Sequence, residues 1–122
     1  MSTPRRSVTS EDQKNDVLAK INYYTQHGFP EATRLHELIM QANPALCPRL
    51  WYGMPGYAKT KDSAVLCFFR KDTLISFGVT ESVDIASLAE ENQSIFPSAW
   101  YITELSDSAE QTIRTVVAKA TL

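Results

Sequence analysis

The chain has 122 residues, 43% of them hydrophobic and 21% charged, with a formal net charge of −2. That is the size of one domain and the composition of the globular class, so a core can form without disulfide staples. The 12 Lys and Arg residues are scattered, and pairs such as Arg5-Arg6 and Arg70-Lys71 are too short for the basic stripe that nucleic acid requires.

The opening, MSTPRRSVTS, lacks the apolar stretch of a signal peptide and reads as a disordered tail over 1–9, followed by a single domain over 10–122. Ser10-Glu11-Asp12-Gln13 has the form of a capping box and predicts a first helix over 11–26, with Val17, Leu18, Ile21 and Tyr24 at helical spacing and Gly28 as its stop. A second helix begins at Pro30, buries Ala32, Leu35, Leu38, Ile39 and Ala42, and ends at Asn43-Pro44.

The period then changes. Strands are expected over 49–52, 63–70 and 73–79, the last two as a hairpin about Lys71-Asp72. Ser82-Val83-Asp84 opens a short helix that turns Ile85 and Leu88 inward. Residues 90–94 read as a polar loop, and residues 98–105 as a strand. Asp107, with Glu110 three residues on, caps a last helix whose stripe is Ala109, Ile113, Val116, Val117 and Ala120. The order ααβββαβα lacks a strand–helix–strand rhythm. It predicts an α+β fold: an antiparallel sheet of about four strands with helices packed on one face. No run approaches the roughly 20 apolar residues of a membrane span, so the expectation is a cytoplasmic protein with no membrane partner. Cys67, inside the apolar run VLCFF, reads as a small hydrophobe, and Cys47 lies between two prolines; a reducing compartment favours thiols at both, with a disulfide between them as the alternative.

The densest segment is WYGMPGY, residues 51–57. Met54-Pro55-Gly56-Tyr57 fits a type II turn, with Pro55 presetting the first central residue and Gly56 supplying a positive φ at the second. Gly53 frees the chain to leave the preceding strand. Trp51 and Tyr52, adjacent on a strand, point to opposite faces, so one anchors the core while the other, with Met54 and Tyr57, lines an edge or cleft. Such a rigid turn bordered by rings is either packing alone or a platform for a ligand or a partner's side chain.

The stretches LWYGMPGYAK, AVLCFF and FPSAWYITELSDSAEQTIRTVVAKA resemble the YdhG-like family of small bacterial proteins, over about residues 15–120. Gly53, Met54, Pro55 and Tyr57 match its most specific motif; Gly56 stands where relatives often carry Ala, and the Arg70–Thr73 connection is shorter than in many of them. The resemblance implies an α+β domain with an antiparallel sheet, frataxin-like in shape in some members. Part of the family is described as frataxin-like iron chaperones. No agreed functional residues come with it.

An iron role calls for exposed carboxylates, and Asp12 and Asp16, neighbours at i, i+4, are the candidate ligands for weakly bound Fe²⁺. The same acids suit a helix N-terminus, and Asp16 can pair with Lys20. Glu81 and Asp84 are equally ordinary. His27, His36, Cys47 and Cys67 match no zinc spacing. There is no GxSxG elbow, no Cys–His signature and no phosphate-binding glycine loop. The sequence therefore points to a non-catalytic domain without a resident cofactor. It would bind a small molecule or a protein through an aromatic groove formed by Trp51, Tyr52, Gly53, Met54, Pro55 and Tyr57, closed by Phe68. A frataxin-like iron chaperone and a homodimeric interaction module are the alternatives.

Overall fold

The computed structural model describes residues 8–88 and 94–122. The expected tail up to residue 7, the loop over 90–93 and the side chain of Ile85 lie outside them. Helices α1 (Ser10–Gln26) and α2 (Ala32–Ala42) come first. Strands β1 (Cys47–Trp51), β2 (Met54–Ala58), β3 (Val65–Lys71) and β4 (Ile75–Val79) follow, then α3 (Ile85–Leu88), β5 (Ala99–Ile102) and α4 (Asp107–Ala120). The five strands form one antiparallel sheet in the order β1-β2-β3-β4-β5, so every strand pairs with its neighbour in sequence. The α+β class holds; the sheet has one strand more than the sequence reading counted. No helix among the described residues is long and apolar enough to cross a membrane.

The helix ends show local chemistry at work. Thr9, not Ser10, caps α1: its hydroxyl accepts the Asp12 N–H at 3.0 Å while the Asp12 carboxylate accepts the Thr9 N–H at 3.0 Å. The box slides one residue because Asp12 closes it as well as Gln13 would. Likewise Ser106, not Asp107, caps α4, accepting the Ala109 N–H at 3.2 Å. Such caps contribute about 1 kcal/mol each.

One core lies between the helices and a single face of the sheet. Val17 and Ile21 of α1, Leu35, Leu38 and Ile39 of α2, and Ile113 and Val117 of α4 meet Tyr57, Cys67, Phe69, Ile75, Phe77 and Ile102 from the strands. Phe29, in the link between α1 and α2, packs edge-on against Phe69, with ring centroids 6.1 Å apart. A register shift between Tyr57 and Ala58 lets both Leu66 and Cys67 reach this cluster. Arg34 of α2 ties the helical layer together by a forked pair of hydrogen bonds to Glu110 of α4, at 2.8 and 3.0 Å.

The expected type II turn at Met54–Tyr57 is not formed. Trp51 pairs with Met54, so Tyr52 and Gly53 alone reverse the chain, and Met54–Ala58 is a strand. Both loop residues have positive φ, +51° at Tyr52 and +78° at Gly53, as a two-residue hairpin of the primed type requires. Gly53 adopts this freely; for Tyr52 the left-handed region costs about 1–2 kcal/mol. Gly56 has no such φ and serves a packing purpose. A Cβ there would fall 2.9 Å from Trp51 Cβ, 3.0 Å from Val65 Cγ1 and 3.2 Å from the Arg49 carbonyl. The space that Ala would need is already filled. Gly56→Ala is therefore expected to lower stability by about 1–3 kcal/mol, the usual cost of overpacking, as read from urea unfolding midpoints; an unchanged midpoint would show that β1 and β2 are looser than this packing implies.

Candidate functional site

Strand alternation sorts the sheet residues onto two faces. The pairs Trp51–Met54, Gly56–Phe68, Phe68–Gly78, Arg70–Ser76, Ser76–Tyr101 and Gly78–Ala99 run across all five strands on the side away from the core. This outer face is where ring surface meets solvent. Phe68 lies over Gly78, where an added Cβ would come within 2.7 Å of its Cζ. Trp51 lies against Gly56 and leans on Phe68, with ring centroids 5.0 Å apart and planes inclined at 40°. Tyr52 meets Trp51 edge-on at 4.8 Å.

Between these rings and β5 is a shallow trough of about 360 Å³, lined by Trp51, Met54, Phe68, Arg70, Ser76, Ala99, Trp100 and Tyr101. A further hollow, lined by Arg70, Asp72, Thr73, Leu74, Ser76 and Tyr101, continues it past the β3–β4 turn. Among the described residues the lining is mainly apolar, with one charge, the guanidinium of Arg70. Its nearest opposite charge is Asp72 at 3.6 Å, and both side chains are at least half exposed. An ion pair of that kind contributes little and exchanges readily. Tyr101 is 76% exposed, and among the described residues neither its hydroxyl nor that of Ser76 makes a hydrogen bond.

Of the residues expected in the groove, Trp51, Met54 and Phe68 line the trough. Tyr52, 86% exposed, stands at its rim, and Gly53 makes the turn beside it. Pro55 and Tyr57 are corrections. The two-residue turn sets the parity of β2 so that both point inward, and both are fully buried. Tyr57 is 0% exposed, with its hydroxyl 2.8 Å from His36 Nδ1 and its ring 6.3 Å from that of Phe69. Arg70, Ser76 and Tyr101 were not expected, whereas the ring of Trp100 lies on the core face, stacked on Phe77 with centroids 5.9 Å apart. The signal for Arg70 and Tyr101 was available in the period-two alternation of FFRK and AWYI, which puts Arg70 on the same face as Phe68, and Tyr101 opposite Trp100.

The other candidates are dispersed. Asp12 is engaged in the α1 cap, and Asp16 lies one turn further along that helix. Among the described residues no three His, Cys, Asp or Glu side chains are grouped as a metal site. Cys47 and Cys67 are free thiols, and burial pushes the Cys67 thiol up to about 12. Comparison of the chain with family models, with curated proteins and with solved structures finds no match in any of the three.

The pair of buried Tyr57 and half-buried His36 gives a pH signature. Burial drives the Tyr57 hydroxyl well above its usual range, with the nearby Cys67 adding to the effect. Burial, followed by Lys14, lowers His36 below its ordinary 6.5, against a smaller opposing pull from Glu37. The unfolded chain thus takes up the His36 proton at a higher pH than the folded one does. Stability is held above pH 6.5 and falls as the pH drops through 6.5 toward the lowered value. Urea midpoints measured at pH 7.5 and pH 5.5 are expected to fall in the wild type and to change less in His36→Gln; equal drops in the two proteins would remove His36 as the cause.

Proposed function

We propose that this chain is a non-catalytic binding domain that takes its ligand on the face of the sheet away from the core, in the trough edged by Trp51, Phe68 and Tyr101. One observation carries the reading. Three aromatic side chains from three different strands remain partly or largely wet around one hollow, while Phe29, Tyr57, Phe69 and Phe77 are sealed in the core. A hollow of a few hundred Å³ with apolar walls and a few polar groups has the dimensions and lining of a small-molecule site. The YdhG-like resemblance belongs to the same proposal: it rests on the motif around Gly53, Met54, Pro55 and Tyr57, and an antiparallel sheet with helices on one face agrees with it. The iron-chaperone alternative has less support. Asp12 is occupied in capping, and no third ligand among the described residues joins Asp16.

A thermal-shift panel of aromatic and aliphatic metabolites tests the reading. A compound present at 100 times its Kd stabilises the native state by about 2.7 kcal/mol, which raises Tm by several degrees. At least one compound is expected to do so in the wild type and to lose the effect in Phe68→Ala and Trp51→Ala. A panel without effect, or shifts that persist in both variants, would contradict the trough as the site.

A further inference from the structure

The trough has two chemically different ends. At one, the rings of Trp51 and Phe68 lie in contact, centroids 5.0 Å apart and planes inclined at 40°, and together line the trough with apolar ring surface. At the other, Arg70, Ser76 and Tyr101 bring a guanidinium and two hydroxyls from three neighbouring strands to one place. Phe68 and Arg70 are two residues apart on β3, so their side chains leave the same face about 6–7 Å apart. That is the reach from a fused bicyclic ring to the atoms its carboxylate would bond.

Resting on the binding reading above, we propose that the ligand is a planar aromatic molecule carrying a single carboxylate, its ring stacked on Trp51 and Phe68 and its carboxylate held by Arg70 with Ser76 and Tyr101. This ring surface selects a flat ring, because offset stacking rewards a π-face over an aliphatic chain of equal area. The polar end selects a carboxylate, because a guanidinium presents parallel N–H donors that match its two oxygens. It selects one negative charge, not two. Among the described residues Arg70 is the only cation lining the trough, and Asp72, 3.6 Å away, opposes a second anionic charge. The same Asp72 is the group that an incoming carboxylate displaces. Its own hold on Arg70 is long and exposed, so the exchange costs little.

The probes are naphthalene-2-carboxylate and its neutral isostere naphthalene-2-carboxamide, titrated into the full chain by NMR, with Ser76, Gly78 and the Trp51 indole as reporters. The carboxylate is expected to bind about tenfold more tightly than the amide, as a charge-assisted pair at a half-exposed site supplies. Arg70→Gln should bring the two to parity, and Asp72→Asn should tighten the carboxylate without affecting the amide. Both substitutions fall on exposed side chains, so folding survives them. Equal affinities in the wild type, with the Trp51 indole perturbed by both probes, would overturn the carboxylate assignment while leaving the trough as a binding site. Carboxylate binding that Arg70→Gln leaves unchanged would overturn it as well. Failure of both probes would also overturn it, and joined to an ineffective metabolite panel it would take the binding reading with it.

Discussion

Two residues, Tyr52 and Gly53, decide which side of the sheet each ring in this protein occupies. Side chains alternate along a strand, so moving a reversal by one residue exchanges the faces of everything after it. With the turn where it is, Pro55 and Tyr57 enter the core while Trp51, Met54 and Gly56 face outward. Tyr52 accepts a left-handed backbone to make this possible, at a cost of the order of 1–2 kcal/mol. Full burial of Tyr57, with its hydroxyl matched to His36, offsets that cost by apolar transfer of about 1.5–3 kcal/mol and leaves no unpaired phenol behind.

From that parity the rest of the architecture follows. Tyr57 opposite Cys67, and Cys67 opposite Val79, continue the inward set that α1, α2 and α4 cover. Gly56 opposite Phe68, and Phe68 opposite Gly78, continue the outward set that none of the described helices covers. The two glycines give the large rings beside them room to lie close to the backbone. The outer face is consequently a low surface with a trough across it. The core residues have their contacts satisfied internally, while the rings and polar groups of the outer face have surface to spare.

The helices were legible because their signals are redundant. Val17 and Ile21, or Ile113 and Val117, recur on one face over several turns, so a cap displaced by one residue changes little. The segment 51–57 was misread because its strongest local signal, Pro-Gly, belongs equally to a type II turn and, here, to a strand whose glycine is needed for close packing. Tyr at positive φ is an improbable reading of Tyr-Gly from propensity alone; the long-range pairing of β2 with β3 overrides it. That single displacement hid a strand and assigned Pro55 and Tyr57 to the wrong face. Trp51, Met54 and Phe68 do line the outer face, but the expectation that Trp51 or Tyr52 anchors the core fails: Trp51 faces outward, and Tyr52, taken up by the turn, is 86% exposed. Arg70 and Tyr101 escaped notice for another reason: they are ordinary residues in their own strands and become a site only when β3, β4 and β5 lie side by side.

The central claim is that the ring surface divides into a sealed set and a wet set across one sheet. Relaxation enhancement of side-chain protons by a neutral soluble gadolinium chelate measures this directly in the free protein. The account predicts strong enhancement at Tyr52, Tyr101, Trp51 and Phe68, and almost none at Tyr57, Phe69 and Phe77. Equal protection of Trp51, Phe68 and Tyr101 with the core rings would contradict it, since the outer face would then be covered.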